Sequence, residues 1–385
     1  MRSSEKEIKL VKYLFFYLKT GGGHIAPAKA VAQKIRYKRG DDIEIILADG
    51  LAGCNKYVRW IIEDGYRITV NNVLLIFELL YALHKIKLVA HITAGMVSYF
   101  IKPVVNDYIE RYRPEKILIF HFFIIKPVVD VVNKIDPEIK VITVVTDPFT
   151  AHPLWFLNKS MRFIVFSEML KETCIKKGIR RDNVNVFPFV VDQRFSKPVG
   201  DYNSRTIRRS LGFQMDSKII LIMGGGDGLP KGKKIIKALI TSDIEAEIAV
   251  VCGNNTSFFD YVTRIRRSNN LFNLKIYKFI DFVPSLISIS DIVITKCGAS
   301  TFMEILLMGK VPVISNYIWE QEKGNMEFVC KGKMGILEKN TDHIPKVVNK
   351  LLFNKELYNM FSNNIRKASL SNGVNEVSDF VLNYC

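Results

Sequence analysis

Residues Tyr13–His24 read YLFFYLKTGGGH: a short apolar run that ends in three consecutive glycines and a histidine. An alanine-rich helical pattern follows through Ile35. A buried strand that enters a glycine turn and then a helix is the opening unit of a Rossmann-like domain. The second half of the chain repeats the unit, with Ile219–Met223 (IILIM) running into Gly224-Gly225-Gly226-Asp227-Gly228 and a helical pattern over Lys233–Ile240. Further buried-strand runs lie at Ile43–Leu47, Lys116–Phe120, Val141–Val145 and Phe163–Phe166, then at Glu247–Val251, Lys275–Tyr277, Ile292–Thr295 and Val311–Ile314. Helical stretches part many of these runs, which predicts parallel sheets covered on both faces. The polar, turn-rich Val191–Asn203 reads as a linker, and Arg205–Leu211 as a short entry helix stopped by Gly212. The expected fold class is α/β with two Rossmann-like domains, residues 1–195 and 196–385. At about 150 residues per domain, 385 residues suit that division.

Composition narrows the function classes. Lys and Arg total 55 against 38 Asp and Glu, a net charge of +17 spread along the whole chain. A diffuse positive field suits polyanionic partners: nucleic acid, an anionic membrane or a phosphorylated substrate. Nucleic acid is not expected, because there is no RNP-type basic-aromatic pattern, zinc spacing or concentrated basic stripe. Cysteines 54, 174, 252, 297, 330 and 385 form no C-x-x-C pair, which reads as reduced thiols and neither a disulfide framework nor a metal module. The N-terminus, MRSSEKEIKL, is too charged for a signal peptide. The most apolar stretch, Val73 to Val105, is interrupted by Glu78, His84, Lys85, Lys87 and His91, so a membrane-spanning helix is not expected.

Three segments carry chemistry. Gly21-Gly22-Gly23 leaves backbone N–H groups uncovered at a helix start, and His24 beside them is a candidate general base with a pKa near 7. Gly224–Gly228 misses the dinucleotide pattern G-x-G-x-x-G, and no Walker-type loop occurs, so neither NAD nor a P-loop nucleotide is expected. Thr295–Asn325 (TKCGASTFMEILLMGKVPVISNYIWEQEKGN) ends a strand, turns through Lys296-Cys297-Gly298-Ala299-Ser300-Thr301 and enters a helix stopped by Gly309. That turn is a diphosphate cradle, with Lys296 as its cation. Thr301-x-x-Glu304 also has the spacing of a capping box, a structural role compatible with Glu304 accepting from a ribose. Gln321, Glu322 and Asn325 are polar groups suited to reading hydroxyls. Together they point to a sugar nucleotide.

Thr20-Gly-Gly-Gly-His24, Val145-Thr-Asp147 with His152-Pro-Leu-Trp155-Phe, and Lys296 with Gln321-Glu-Lys-Gly-Asn325 resemble the monogalactosyldiacylglycerol synthase family, whose bacterial relatives include processive diacylglycerol glucosyltransferases. Met223–Gly228, Val251-Cys-Gly-Asn254 and Arg208–Gly212 fit the same resemblance, so the matches run in order over residues 17–330. A more remote likeness reaches the N-acetylglucosaminyltransferase of lipid II synthesis. The resemblance implies a GT-B fold: two domains facing across a cleft, with the last helix free to cross back to the first. It implies inverting transfer of glucose or galactose from UDP-glucose or UDP-galactose to diacylglycerol, at the cytoplasmic face of the cell membrane as a peripheral protein.

Carried over residue by residue, the catalytic pair is His24 and Asp147, with Gly22, Gly23, His152 and Trp155 on the acceptor side. The donor would be held by Gly224, Gly225, Gly226, Lys296, Gly298, Ala299, Ser300, Thr301, Glu304, Gln321, Glu322 and Asn325. No cofactor or metal is expected, because no D-x-D pair stands at a strand end. The open alternatives are a polyprenyl diphosphate acceptor, a sugar-nucleotide epimerase on a similar double fold and, in another class, a basic nucleic-acid-binding protein. Membrane contact is expected from the mixed aromatic and basic residues 56–110, among them Arg59, Trp60, Arg67, Phe77, Tyr81, Lys85, Lys87, Tyr99, Phe100 and Lys102, with Leu79, Leu80, Leu83, Ile86 and Val89-Ala90 as a helical apolar stripe.

Overall fold

In the computed structural model, residues 10–65, 69, 74–196 and 201–384 are described. Arg67 lies outside them, as does Cys385. The N-terminal sheet comprises β1 (Val11–Tyr17), β2 (Ile43–Asp49), β3 (Lys116–Ile119), β4 (Lys140–Val144), β5 (Arg162–Val165) and β6 (Val184–Val186), in the order β2-β1-β3-β4-β5-β6. The C-terminal sheet comprises β7 (Ile219–Met223), β8 (Glu247–Val251), β9 (Leu274–Tyr277), β10 (Ile292–Lys296), β11 (Val311–Asn316) and β12 (Ile336–Leu337), in the order β12-β11-β10-β7-β8-β9. All neighbouring strands run parallel. The fold is α/β, with two six-stranded parallel sheets.

The strands read as unbroken apolar runs because helices cover both faces of each sheet. β1 shows the alternation directly: Tyr13, Phe15 and Tyr17 join one core cluster, while Leu14 and Phe16 join the other. The first cluster continues into the second sheet through Ile219–Met223, so one apolar core runs through both domains. Two short strands, β6 and β12, were not legible as apolar runs. VNV has a polar centre, and two residues are too few to show a period.

Seven helices are needed to place the site: α1 (Gly22–Arg39), α2 (Leu74–Leu83), α3 (Lys87–Tyr112), α4 (Phe122–Ile135), α5 (Ala299–Leu307), α6 (Lys323–Lys331) and α7 (Val374–Asn383). The apolar stripe expected through residues 79–90 is cut between Leu83 and Lys87. Leu79, Leu80 and Leu83 are exposed on α2, whereas Ala90 is buried on α3. By length and composition α3 could cross a membrane. One of its faces, however, buries Ala90, Ala94, Ser98, Ile101, Val105 and Ile109 inside this chain.

The helix after the linker starts at Asp201, earlier than Arg205. The linker itself is partly packed. Asn372 Nδ2 donates to Val191 O at 2.9 Å, and Phe195 is buried. α7 returns to the N-terminal domain, where Lys38 Nζ meets Asp379 Oδ1 at 2.6 Å and Lys116 Nζ donates to Val381 O at 2.8 Å.

In each sheet the strand order reverses at one point: between β1 and β3 in the first, and between β10 and β7 in the second. Loops diverge there, leaving a crevice at the C-terminal strand ends. The Gly21–His24 turn leaves β1 at the first reversal. The Gly224–Gly228 and Lys296–Ser300 turns leave β7 and β10 at the second.

Candidate active site

The two crevices open into one cavity of about 550 Å³, within the range of small-ligand sites. It is lined from the N-terminal domain by Thr20–His24, Thr146 and Asp147, and from the C-terminal domain by Gly224–Gly228, Lys296, Gly298–Thr301, Glu304, Gln321, Glu322 and Asn325.

His24 stands at the first turn of α1. Its Nδ1 donates to Phe120 O at 2.9 Å, at the neighbouring end of β3. A carbonyl only accepts, so Nδ1 carries the proton, which it shares with Thr146 Oγ1 at 2.8 Å, and Nε2 keeps the lone pair. The expected pKa near 7 is corrected: burial pushes His24 down to about 4, because a charged ring would lose its hydration. The ring is therefore neutral and able to accept a proton throughout the physiological range.

Asp147 follows β4, and its oxygens are both occupied. Trp155 Nε1 donates to Oδ2 at 3.0 Å, and Gln321 Nε2 reaches across the cleft to Oδ1 at 3.3 Å. Burial raises Asp147 to about 6, opposed by these two donors. The same loop carries two more bonds between the domains: Thr150 Oγ1 donates to Gln321 O at 2.7 Å and accepts from Gly324 N at 3.2 Å. Phe149 stacks on Phe328 of α6 with ring centres 4.4 Å apart.

His152 and Trp155 are not wall residues. Trp155 is fully buried behind Asp147. His152 caps a 3-10 turn through its Nδ1, which accepts from Leu154 N at 3.3 Å, and its ring stacks on Phe122 at 4.7 Å. Its ring is packed in that way and burial holds it down to about 3, so it supports the loop as a neutral imidazole.

On the donor side, α5 begins at Ala299 with Gly298 as its N-cap, so Thr301 lies inside the helix and the expected Thr301–Glu304 capping box does not form. Thr301 and Glu304 instead line the cavity. Burial, reinforced by Asp192 and opposed by Arg194, raises Glu304 to about 7. Lys296 Nζ lies 3.9 Å from Glu322 Oε1. The other Glu322 oxygen is engaged by its own loop, accepting from Ile318 N at 2.8 Å. Asn325 Nδ2 donates to Cys297 O at 3.0 Å, tying α6 to the phosphate-type turn.

The glycine turns differ in kind. A Cβ at Gly21, Gly22 or Gly23 would meet nothing within 4 Å, so that turn is open to a ligand. A Cβ at Gly224 would fall 2.2 Å from Gly228 O, so Gly224 serves close backbone packing.

Among the described residues nine buried side-chain polar atoms have no hydrogen-bond partner, and three of them stand on this wall: Thr20 Oγ1, Ser300 Oγ and Asn325 Oδ1. Buried polar atoms are almost always bonded, so three on one cavity wall suit a ligand with hydroxyl or phosphate oxygens. Sequence reading missed Arg194, which lines the same cavity, donates from Nη1 to Asp281 O at 2.8 Å and forks onto Asp192. Its signal was lost because Asp192-Gln193-Arg194 looks like any solvated linker.

The monogalactosyldiacylglycerol (MGDG) synthase family matches residues 24–191, and the glycosyltransferase family 28 C-terminal domain matches residues 219–377. The two matches meet the two halves of this cavity. The chain is a GT-B glycosyltransferase. It is related to MGDG synthases: one from Glycine max, described as probable and chloroplastic, is 26% identical over 368 residues, covering 93% of this chain and 68% of that protein. MGDG synthase 2 from Arabidopsis thaliana is 25% identical, over 93% of this chain and 77% of that protein.

Three solved structures share the glycosyltransferase's fold. Anabaena Alr3699/HepE in complex with UDP-glucose has a TM-score of 0.59 at 15% identity, covering 97% of this chain and all of that one. Acinetobacter baumannii MurG has a TM-score of 0.60 at 16% identity, covering 97% and 99%. A UDP-GlcNAc 2-epimerase from Neisseria meningitidis bound to UDP-GlcNAc has a TM-score of 0.61 at 15% identity, covering 97% and 98%. At such identities the likeness speaks for the fold alone.

Proposed function

We propose that this glycosyltransferase moves a hexose, glucose or galactose, from its UDP-sugar to the free hydroxyl of a 1,2-diacylglycerol, inverting the anomeric carbon, while docked on an anionic membrane surface. The observation that carries the reading is the set of unpartnered buried atoms, Thr20 Oγ1, Ser300 Oγ and Asn325 Oδ1, which ring a cavity bearing a neutral histidine at one end and a helix N-terminus at the other.

In the proposed step the acceptor oxygen bonds to the anomeric carbon as the bond from that carbon to the UDP oxygen breaks. An alcohol is too weak an acid to ionise beforehand, so its proton passes to His24 Nε2 during the transition state, a contribution of about 10²–10⁴ in rate. Asp147, ionised above about pH 6, sets a negative charge on the same wall. The departing diphosphate is met by backbone N–H groups at the start of α5 and by Lys296, so no metal is given a role.

Support for a lipid acceptor lies outside the cavity. Trp60, Leu79, Leu80, Leu88, Met96 and Tyr99 are between 46% and 77% exposed on the helical segment Trp60–Asp64, α2 and α3. Lysines 85, 87 and 102 lie in the same stretch of chain, Lys85 paired with Glu320 and Lys102 3.9 Å from Asp130. Such a mixed apolar and basic face suits the headgroup region of an anionic bilayer, where each Lys contributes about 1 kcal/mol. Localisation at the cytoplasmic membrane face is part of the same proposal.

Incubating the purified protein with UDP-glucose or UDP-galactose and dioleoylglycerol in anionic vesicles tests the reading. The expected product is a β-hexosyl-diacylglycerol. Free epimerised sugar nucleotide without glycolipid would reject it.

A further inference from the structure

α2 is apolar on two sides, and the sides meet different things. On the inner side, Phe77 and Tyr81, one helical turn apart, bury themselves against Ile318. Ile318 belongs to the loop between β11 and α6, lines the cavity itself, and donates its N–H to Glu322. Just beyond α2, Lys85 Nζ lies 3.0 Å from Glu320 Oε2 on the same loop, where Glu320 adopts a left-handed φ of 64°. Side chains of α2 and of the residue two beyond it thus bear on Ile318 and Glu320, immediately before Gln321 and Glu322 in the loop that enters the donor site.

On the outer side, Ile76, Leu79, Leu80 and Leu83 recur at i, i+3, i+4 and i+7, all exposed. Ile86 and Leu88 extend the exposed apolar patch past the corner, with Lys85 and Lys87 on its border. An apolar helical stripe edged by the exposed Lys87 fits an anionic lipid surface better than an apolar protein groove, since that lysine would then face phosphates.

We propose that α2 is a positioning element for the donor loop: seating its outer stripe in an anionic lipid surface holds residues 317–322 in place and tightens UDP binding. The inference rests on the lipid-surface reading above and adds to it a coupling between surface and donor. The exposed Lys85–Glu320 pair alone is worth at most about fivefold in such an equilibrium. The buried Phe77–Tyr81–Ile318 contact carries the larger share, because a single helical turn joins it rigidly to the lipid-facing stripe. Two ligands that favour the same arrangement of one element must each tighten the other by the same factor.

The test uses the whole protein, UDP alone, and vesicles of phosphatidylcholine and phosphatidylglycerol in equal parts, so that no turnover intervenes. Adding vesicles is expected to lower the Kd for UDP about tenfold, and adding UDP to tighten vesicle binding by the same factor. Phe77→Ala keeps the outer stripe, so it should dock normally yet show one Kd for UDP with or without vesicles. Leu79→Ser/Leu80→Ser should keep the lipid-free Kd for UDP and lose docking. Should Phe77→Ala fail to fold, Glu320→Lys, which sets like charges against each other at the clasp, is expected to weaken UDP binding a fewfold and blunt the vesicle effect. Wild-type docking with an unchanged UDP Kd overturns the coupling and leaves the lipid-surface reading standing. Absence of docking overturns the lipid-surface reading itself.

Discussion

Gln321 Nε2, on the C-terminal domain, donates to Asp147 Oδ1, on the N-terminal domain, at 3.3 Å, while Trp155 Nε1 holds the other oxygen at 3.0 Å. One buried carboxylate is therefore shared between a residue behind it and a residue across the cleft. Its ionisation depends on both donors.

Trp155→Phe removes one of them. A donor favours the ionised form, so its loss raises Asp147 further above about 6. The acid limb of the pH–rate profile should move to higher pH, and turnover at pH 6 should fall more than turnover at pH 8. An unshifted profile would separate Asp147 from catalysis.

Asp147→Asn should cost activity and gain stability. Folding raises this carboxyl from 3.8 to about 6, so the folded chain binds more protons than the unfolded chain between those values. Stability is present below that window and is lost as pH rises through it, by at most about 3 kcal/mol. Denaturant melts should show Asp147→Asn more stable than wild type at pH 8, with the difference gone at about pH 3.

His24→Ala should lower kcat by about 10²–10⁴ with little change in the KM for UDP-sugar. Because His24 is held at about 4, its own titration should leave no inflection between pH 6 and 7. Near-wild-type turnover would move the base to Asp147 or His152.

Glu304→Gln should act on donor binding. At about 7, Glu304 is half ionised near neutrality, and only the ionised form is a full acceptor for hydroxyl donors. UDP affinity of the wild type should therefore rise as pH rises through 7, while the variant shows a weaker, flat profile by titration calorimetry.

Chelation should leave single-turnover chemistry intact, since the proposal meets the leaving diphosphate with the N-terminus of α5 and Lys296. A rate restored only by adding back a divalent cation would require a different account of the leaving group.

Much was legible from local pattern. The apolar runs of β1, β7 and β8 stand within a residue or two of their places because strands buried on both faces need no alternation to be recognised. The glycine turns announced where two helices begin. Contacts between distant segments were hidden. The Thr301–Glu304 spacing promised a cap, but Gly298 starts the helix and turns both side chains toward the cavity. Arg194 looked like linker until Asp281, 87 residues away, took its Nη1 bond.

By itself, the order of residues determined the two strand–glycine–helix units, the set of polar groups near them and the family they resemble, because each depends on neighbours within a turn or two of chain. Only the tertiary structure decided what those groups are. Burial moved His24 away from 7 and Asp147 toward it. The packing of the 147–155 loop placed Trp155 behind Asp147 and stacked His152 on Phe122. Closure of one domain on the other supplied Asp147 with its second donor. Desolvation and cross-domain bonding are properties of the assembled cavity, and no local window of sequence contains them.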